Sequence, residues 1–133
     1  MPRTVILAAM LGALAAPAFA KPPLHQNETV RSGFYAIGLA DEVRKNCPSI
    51  SPRMIRAWTY LKSLEGYARD AGYSRDEISA LTDNKAEKEK LRAVIRDDLR
   101  GRGAVPGKPE GYCAVGREEI AADSAAGRLL KGD

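Results

Sequence analysis

The side chains able to do chemistry are few. Cys47, Cys113 and the single histidine, His25, are the whole supply of thiolates and imidazoles in the 133 residues. A Ser-His-Asp triad, or a zinc site of the usual His/Cys kind, needs more than this. Asn46-Cys47-Pro48 has neither the second cysteine of a redox Cys-x-x-Cys pair nor a haem-attachment motif, which argues against a disulfide oxidoreductase. His25 follows Pro22 and Pro23 and is expected to be solvent-exposed and idle. The carboxylates come as adjacent pairs, Asp41-Glu42, Asp97-Asp98 and Glu118-Glu119. Neighbours on a helix diverge by about 100°, so these read as solvated surface and not as acid–base couples. Gly101, Gly103 and Gly107 follow no strand and make no phosphate loop. The expectation is a non-enzyme with no catalytic residue, no cofactor and no metal.

Two smaller features remain. Glu65 lies four residues before Arg69, a favourable helix pair, and reads as a surface-edge acid. Tyr60 and Tyr67 fall at the edge of an apolar helical face. Such tyrosines usually bury the ring and leave the hydroxyl wet, and a partner-facing edge is the alternative use.

What the cysteines do depends on where the chain goes. Met1-Pro2-Arg3 is a short basic start, Thr4 to Ala16 is apolar and uncharged, and Pro17 precedes the small-x-small box Ala18-Phe19-Ala20. That order is a cleavable secretory signal over residues 1–20, with export to the periplasm as its consequence. Its apolar core is too short to span a bilayer, which takes about 20 apolar residues, and no later stretch is long enough. No membrane span is therefore expected after cleavage. An exported pair of cysteines is by default a disulfide. Closing so long a loop is worth about 4 kcal/mol in the chain-entropy model. The 21 basic and 17 acidic residues, net +4, are mixed along the chain. This is a solvated surface and not a nucleic-acid footprint, so no nucleic-acid partner is expected.

The elements follow from periodicity and caps. Residues 21–29 read as a flexible arm and 30–133 as one helical domain. A first helix over about Glu28 to Asn46 carries Ala36, Ala40, Val43 and Cys47 on one stripe and stops at Pro48. A second is expected from Ser51 as N-cap with Pro52 at its first position, stapled by Ile50 and Ile55. Its apolar arc of Met54, Ala57, Trp58, Leu61, Leu64, Ala68 and Ala71 covers about half the circumference, which suggests the central helix. Ser74 and Glu77 form a capping box with Tyr73 and Ile78 as staple, and Asn84 with Glu87 offers another cap. Residues 75–100 are then one bent helix or two. A last helix opens at Pro109 and places Cys113, Gly116, Ile120, Ser124 and Gly127 on a face of small residues. No segment alternates with period two, so no sheet is expected. The sum is an all-α bundle of four or five helices closed by one disulfide.

Gly38 to Pro48 (GLADEVRKNCP), Lys85-Ala86-Glu87-Lys88 and Tyr112 to Ile120 (YCAVGREEI) resemble stretches of an uncharacterised family of small exported helical proteins of alphaproteobacteria, a domain of unknown function. The resemblance covers nearly all of the chain after the leader. Such proteins carry Asp before the proline of the last helix where this chain has Lys108, which weakens that cap. The resemblance implies a helical, periplasmic, disulfide-bonded domain and supplies no activity. The reading is a non-catalytic interaction or structural protein, with another envelope protein as the expected kind of partner. The alternative is an envelope stress or chaperone-like protein that binds unfolded clients.

Overall fold

The computed structural model describes residues 21–132. The leader expected over residues 1–20 lies outside them. Five helices carry the fold: α1 (Glu28–Asn46), α2 (Met54–Asp70), α3 (Arg75–Thr82), α4 (Lys85–Gly101) and α5 (Pro109–Ala121). Short 3-10 turns at Leu24–Gln26 and Gly127–Leu129 stand at the two ends. The all-α bundle closed by Cys47–Cys113 is what the chain forms.

The central helix is α1 and not α2. It packs against α5, α2 and α4. Its start is fixed by the Asn27 side chain, which accepts from the Val30 N–H, and its end by Cys47, held extended ahead of Pro48. Ala36, Leu39, Ala40 and Val43 form one face of the main core, with Ile95 and Leu99 of α4, Tyr112 and Val115 of α5, and Leu129 and Leu130 of the tail. A second, smaller cluster joins Leu24, Val30, Ala68 and Tyr73. It seats the segment expected to be a loose arm: Leu24 is buried, and the Tyr73 hydroxyl donates to the Pro22 carbonyl at 2.6 Å. Two prolines signalled irregular backbone there, and the single apolar anchor after them, Leu24, was too little signal to read.

The start of α2 departs from expectation. Ser51–Pro52 is a two-residue strand, β1, paired antiparallel with Leu130–Lys131, β2, in the register Ser51 to Lys131 and Pro52 to Leu130. This is the one strand pair among the described residues. Arg53 then becomes the N-cap residue and makes no side-chain cap. Its N–H donates to the Leu129 carbonyl at 2.7 Å, and its Nε donates to the Leu130 carbonyl at 3.1 Å. The trade is energetically reasonable. A Ser cap is worth about 1 kcal/mol. Burying Leu129, Leu130 and Ile50 gains about 1.5–3 kcal/mol each. The Ile50–Ile55 staple does not form, because Ile50 is buried and Ile55 projects into solvent.

Residues 75–101 are two helices. The Ser74 and Glu77 capping box is present with both hydrogen bonds, and the Asn84 side chain caps α4 by accepting from the Glu87 N–H at 3.0 Å. The last helix opens at Pro109, and Lys108 provides no side-chain cap. It is shorter than expected. The chain turns at Asp123, whose φ of 48° is a left-handed conformation Asp tolerates, so Ser124 and Gly127 lie beyond the helix. Gly127 instead packs its backbone on the end of α5, where an added Cβ would meet the Glu119 carbonyl and, at 2.7 Å, the Ile120 nitrogen.

Candidate functional site

The disulfide ties the end of α1 to the first turns of α5, with Cα atoms 5.1 Å apart and a sequence separation of 66. Cys47 is almost wholly buried. One turn on, Gly116 is buried against Val43 and Ile50. The cross-link therefore joins Cys47 in the core to a partly buried Cys113 packed against it, and among the described residues there is no free cysteine.

Each of the paired carboxylates is engaged by a cation or a hydroxyl. Asp41 pairs with Arg44 and Lys45, both at 2.6 Å. Burial by itself would raise its pKa, and the hydrogen bonds from Lys45 and Arg44 outweigh it and hold the carboxyl below the usual range. Glu42 points the other way. It is the one buried charged residue described, 7 % exposed, with the Arg96 guanidinium at 3.4 Å. Asp97 faces Arg100 at 3.3 Å, and Asp98 accepts from the Tyr35 hydroxyl at 2.7 Å. Burial first, then that hydrogen bond and the charge of Asp98, push Tyr35 up to about 12. Glu118 and Glu119 share Arg102 at 3.0 and 2.8 Å and raise its pKa against the effect of burial. The Glu42–Arg96 and Tyr35–Asp98 contacts join α1 to α4, and the two Arg102 pairs join the end of α4 to α5. Glu65 pairs with Lys62 at 3.0 Å and not with Arg69. Among the described residues no three His, Cys, Asp or Glu side chains gather as metal ligands.

Two open grooves flank α1. One, of about 300 Å³, runs between α1, α4 and the start of α2 and is lined by Ile37, Glu42, Met54, Leu91 and Ile95. The other, of about 620 Å³, lies between the N-terminal segment, α1, α3 and α4 and includes His25, Arg31, Phe34, Tyr35 and Glu87. Phe34, Lys88 and Leu91 border both. His25 is half-buried at the rim and not fully in solvent. The Lys90 hydrogen bond, with the charges of Lys90 and His25 adding to it against slight desolvation, holds the Glu87 carboxyl below its usual range.

The most distinctive surface is the outward face of α2. Leu64 and Ala68 are its only buried residues, and Ala57 and Tyr60 are half-buried beside the main core. Opposite them, Met54 is 63 %, Ile55 84 % and Trp58 61 % exposed. The Lys62 ammonium lies 4.5 Å over the Trp58 ring. Met54 and Trp58 were expected in the core. An apolar arc covering half a helix exceeds what one packed face consumes, and the excess faces water. Tyr60 and Tyr67 do not make a common edge with Trp58. Tyr60 turns inward, and Tyr67 is exposed on the opposite side of the helix from the tryptophan.

No curated protein and no solved structure matches the chain. A family model does, over residues 22–131, which takes in every helix, both cysteines and the β1–β2 pair. The chain belongs to DUF5333, a family of unknown function.

Proposed function

We propose that this is a non-catalytic interaction or structural protein of the periplasm, delivered there by the leader over residues 1–20 and working through the outward face of α2. The observation that carries the reading is the cluster of Met54, Ile55 and Trp58, left open on a helix whose opposite face is packed. Large apolar side chains exposed together mark interaction surfaces, whereas scattered ones need no explanation. The long-range disulfide supports an oxidising compartment. The engagement of each paired carboxylate by a cation or hydroxyl supports a structural use of those acids and not an enzymatic one.

Fractionation tests the reading. Wild-type protein should be retained with the envelope. Ile55→Glu, with an unchanged melting temperature, should be released into the soluble periplasmic extract. Equal release of both would refute it. The groove of about 620 Å³ favours a second reading, an envelope stress or chaperone-like protein that binds unfolded clients. That role requires apolar surface to open under acid stress, seen as dye binding and client protection at low pH. No gain of either on acidification would refute it.

A further inference from the structure

We propose that the first half of α2 is an interfacial docking surface for anionic phospholipid bilayers. The proposal deepens the interaction reading above, on which it rests, by naming what the surface meets. Ile55 and Trp58 project from the helix and line neither of the two grooves, while Met54 beside them also lines the groove of about 300 Å³. A convex apolar surface fits a deformable partner. A protein partner would need a matching pocket, while the headgroup and upper acyl region of a bilayer closes around any projecting side chain. Tryptophan prefers that depth because its ring is apolar and its N–H is polar.

Charge selects the lipid. Between Glu42 and Glu65 the chain holds no acid, and the segment around the projecting residues carries Arg53, Arg56 and Lys62. The side chains of Arg53 and Arg56 are drawn toward the C-terminal tail by bonds to the neutral carbonyls of Leu130 and Arg128, so they flank the apolar face with their charge uncancelled, and Lys62 is the cation beside Trp58. Glu65, one turn beyond, is the acid that meets this face, and it pairs with Lys62. Lys62 over the Trp58 ring places a cation beside the inserting indole, at headgroup depth. Within this turn the Thr59 hydroxyl donates to the Ile55 carbonyl. No helix among the described residues is long and apolar enough to cross a membrane, so α2 would lie in the plane of the interface.

Trp58 is the only tryptophan and reports its own insertion. Protein purified after export is titrated with vesicles of mixed phosphatidylglycerol and phosphatidylethanolamine, and with phosphatidylcholine vesicles as the uncharged comparison. The expected result is a blue shift of Trp58 fluorescence and co-sedimentation with the anionic vesicles only, weakened by high salt. Each basic residue near an anionic surface is worth about fivefold in binding. Arg56→Glu combined with Lys62→Glu should therefore cost about tenfold or more, as should Ile55→Glu, both with wild-type melts. Equal binding to phosphatidylcholine, no blue shift, or undiminished binding by Ile55→Glu would overturn the proposal. So would a solution dimer that Ile55→Glu dissociates, since a second copy would then cover the face. Loss of vesicle binding with envelope retention intact would leave the interaction reading standing and assign the face to a protein.

Discussion

Replacing Gly116 tests a close approach of α1 and α5. Any side chain there enters the space between α1 and α5 one turn after the disulfide. A Cβ at this position would collide with Ile50 Cδ1 and come within 2.7 Å of Val43 Cγ1. The Ile50 tip can rotate away. Val43 is fully buried, and a β-branched residue inside a helix has essentially one χ1 rotamer, so it cannot. Overpacking of this kind costs about 1–3 kcal/mol. Against it stands the helix propensity gained by losing glycine, about 1 kcal/mol. Gly116→Ala should then be destabilised by about 0–2 kcal/mol, and Gly116→Leu, which adds three more carbons to the same gap, by about 1–3 kcal/mol. For a domain of this size each kcal/mol moves the melting temperature by about 4 °C. Gly66 in α2 is the control, since a Cβ there meets nothing within 4 Å. Gly66→Ala should gain about 1 kcal/mol from propensity alone. Thermal melts of the oxidised proteins read all three. Gly116→Leu melting at or above wild type would mean that α1 and α5 do not meet there, and the packing order of the bundle would be wrong.

The caps separate α2 from α3 and α4: Ser74→Ala and Asn84→Ala should each cost about 1 kcal/mol in denaturant melts, while Ser51→Ala, in β1 with no cap to lose, should leave the midpoint unchanged. Reduction of Cys47–Cys113 should remove about 4 kcal/mol, and a reduced protein as stable as the oxidised one would show that the cross-link closes no entropic loop. Because the folded pKa of Asp41 is depressed, its contribution is present above the unfolded value of about 4 and is lost as pH falls through the folded value. Acid titration of the melting temperature should therefore fall less steeply below about pH 4 for Asp41→Asn than for wild type, and identical slopes would remove that carboxylate from the account.

Local signals carried most of the fold into the sequence. The bounds of α1, the capping box of α3, the Asn84 cap of α4 and Pro109 at the start of α5 are all short-range features. They survive because no tertiary contact opposes them. Ser51-Pro52 was an equally good local start, and it lost because Leu129 and Leu130 arrive from the far end of the chain to be buried beside Ile50. That is a contact between residues nearly eighty positions apart, which no window along the sequence contains. The exposed face of α2 was missed for a related reason. Met54 and Trp58 look like core residues by type, and only the packing of Ala57, Leu64 and Ala68 decides which side of a wide apolar arc is buried. The acid-free run from Val43 to Leu64 was visible in the sequence and is the charge bias on which the proposed anionic partner rests.

Everything proposed for the protein depends on its being an exported domain locked by one disulfide. Intact mass of protein isolated from the cell envelope without reductant tests that most directly. The account predicts a chain beginning at Lys21 and lighter by two hydrogens than its reduced form. A mass that retains Met1 to Ala20, or two alkylatable thiols at Cys47 and Cys113, would contradict it.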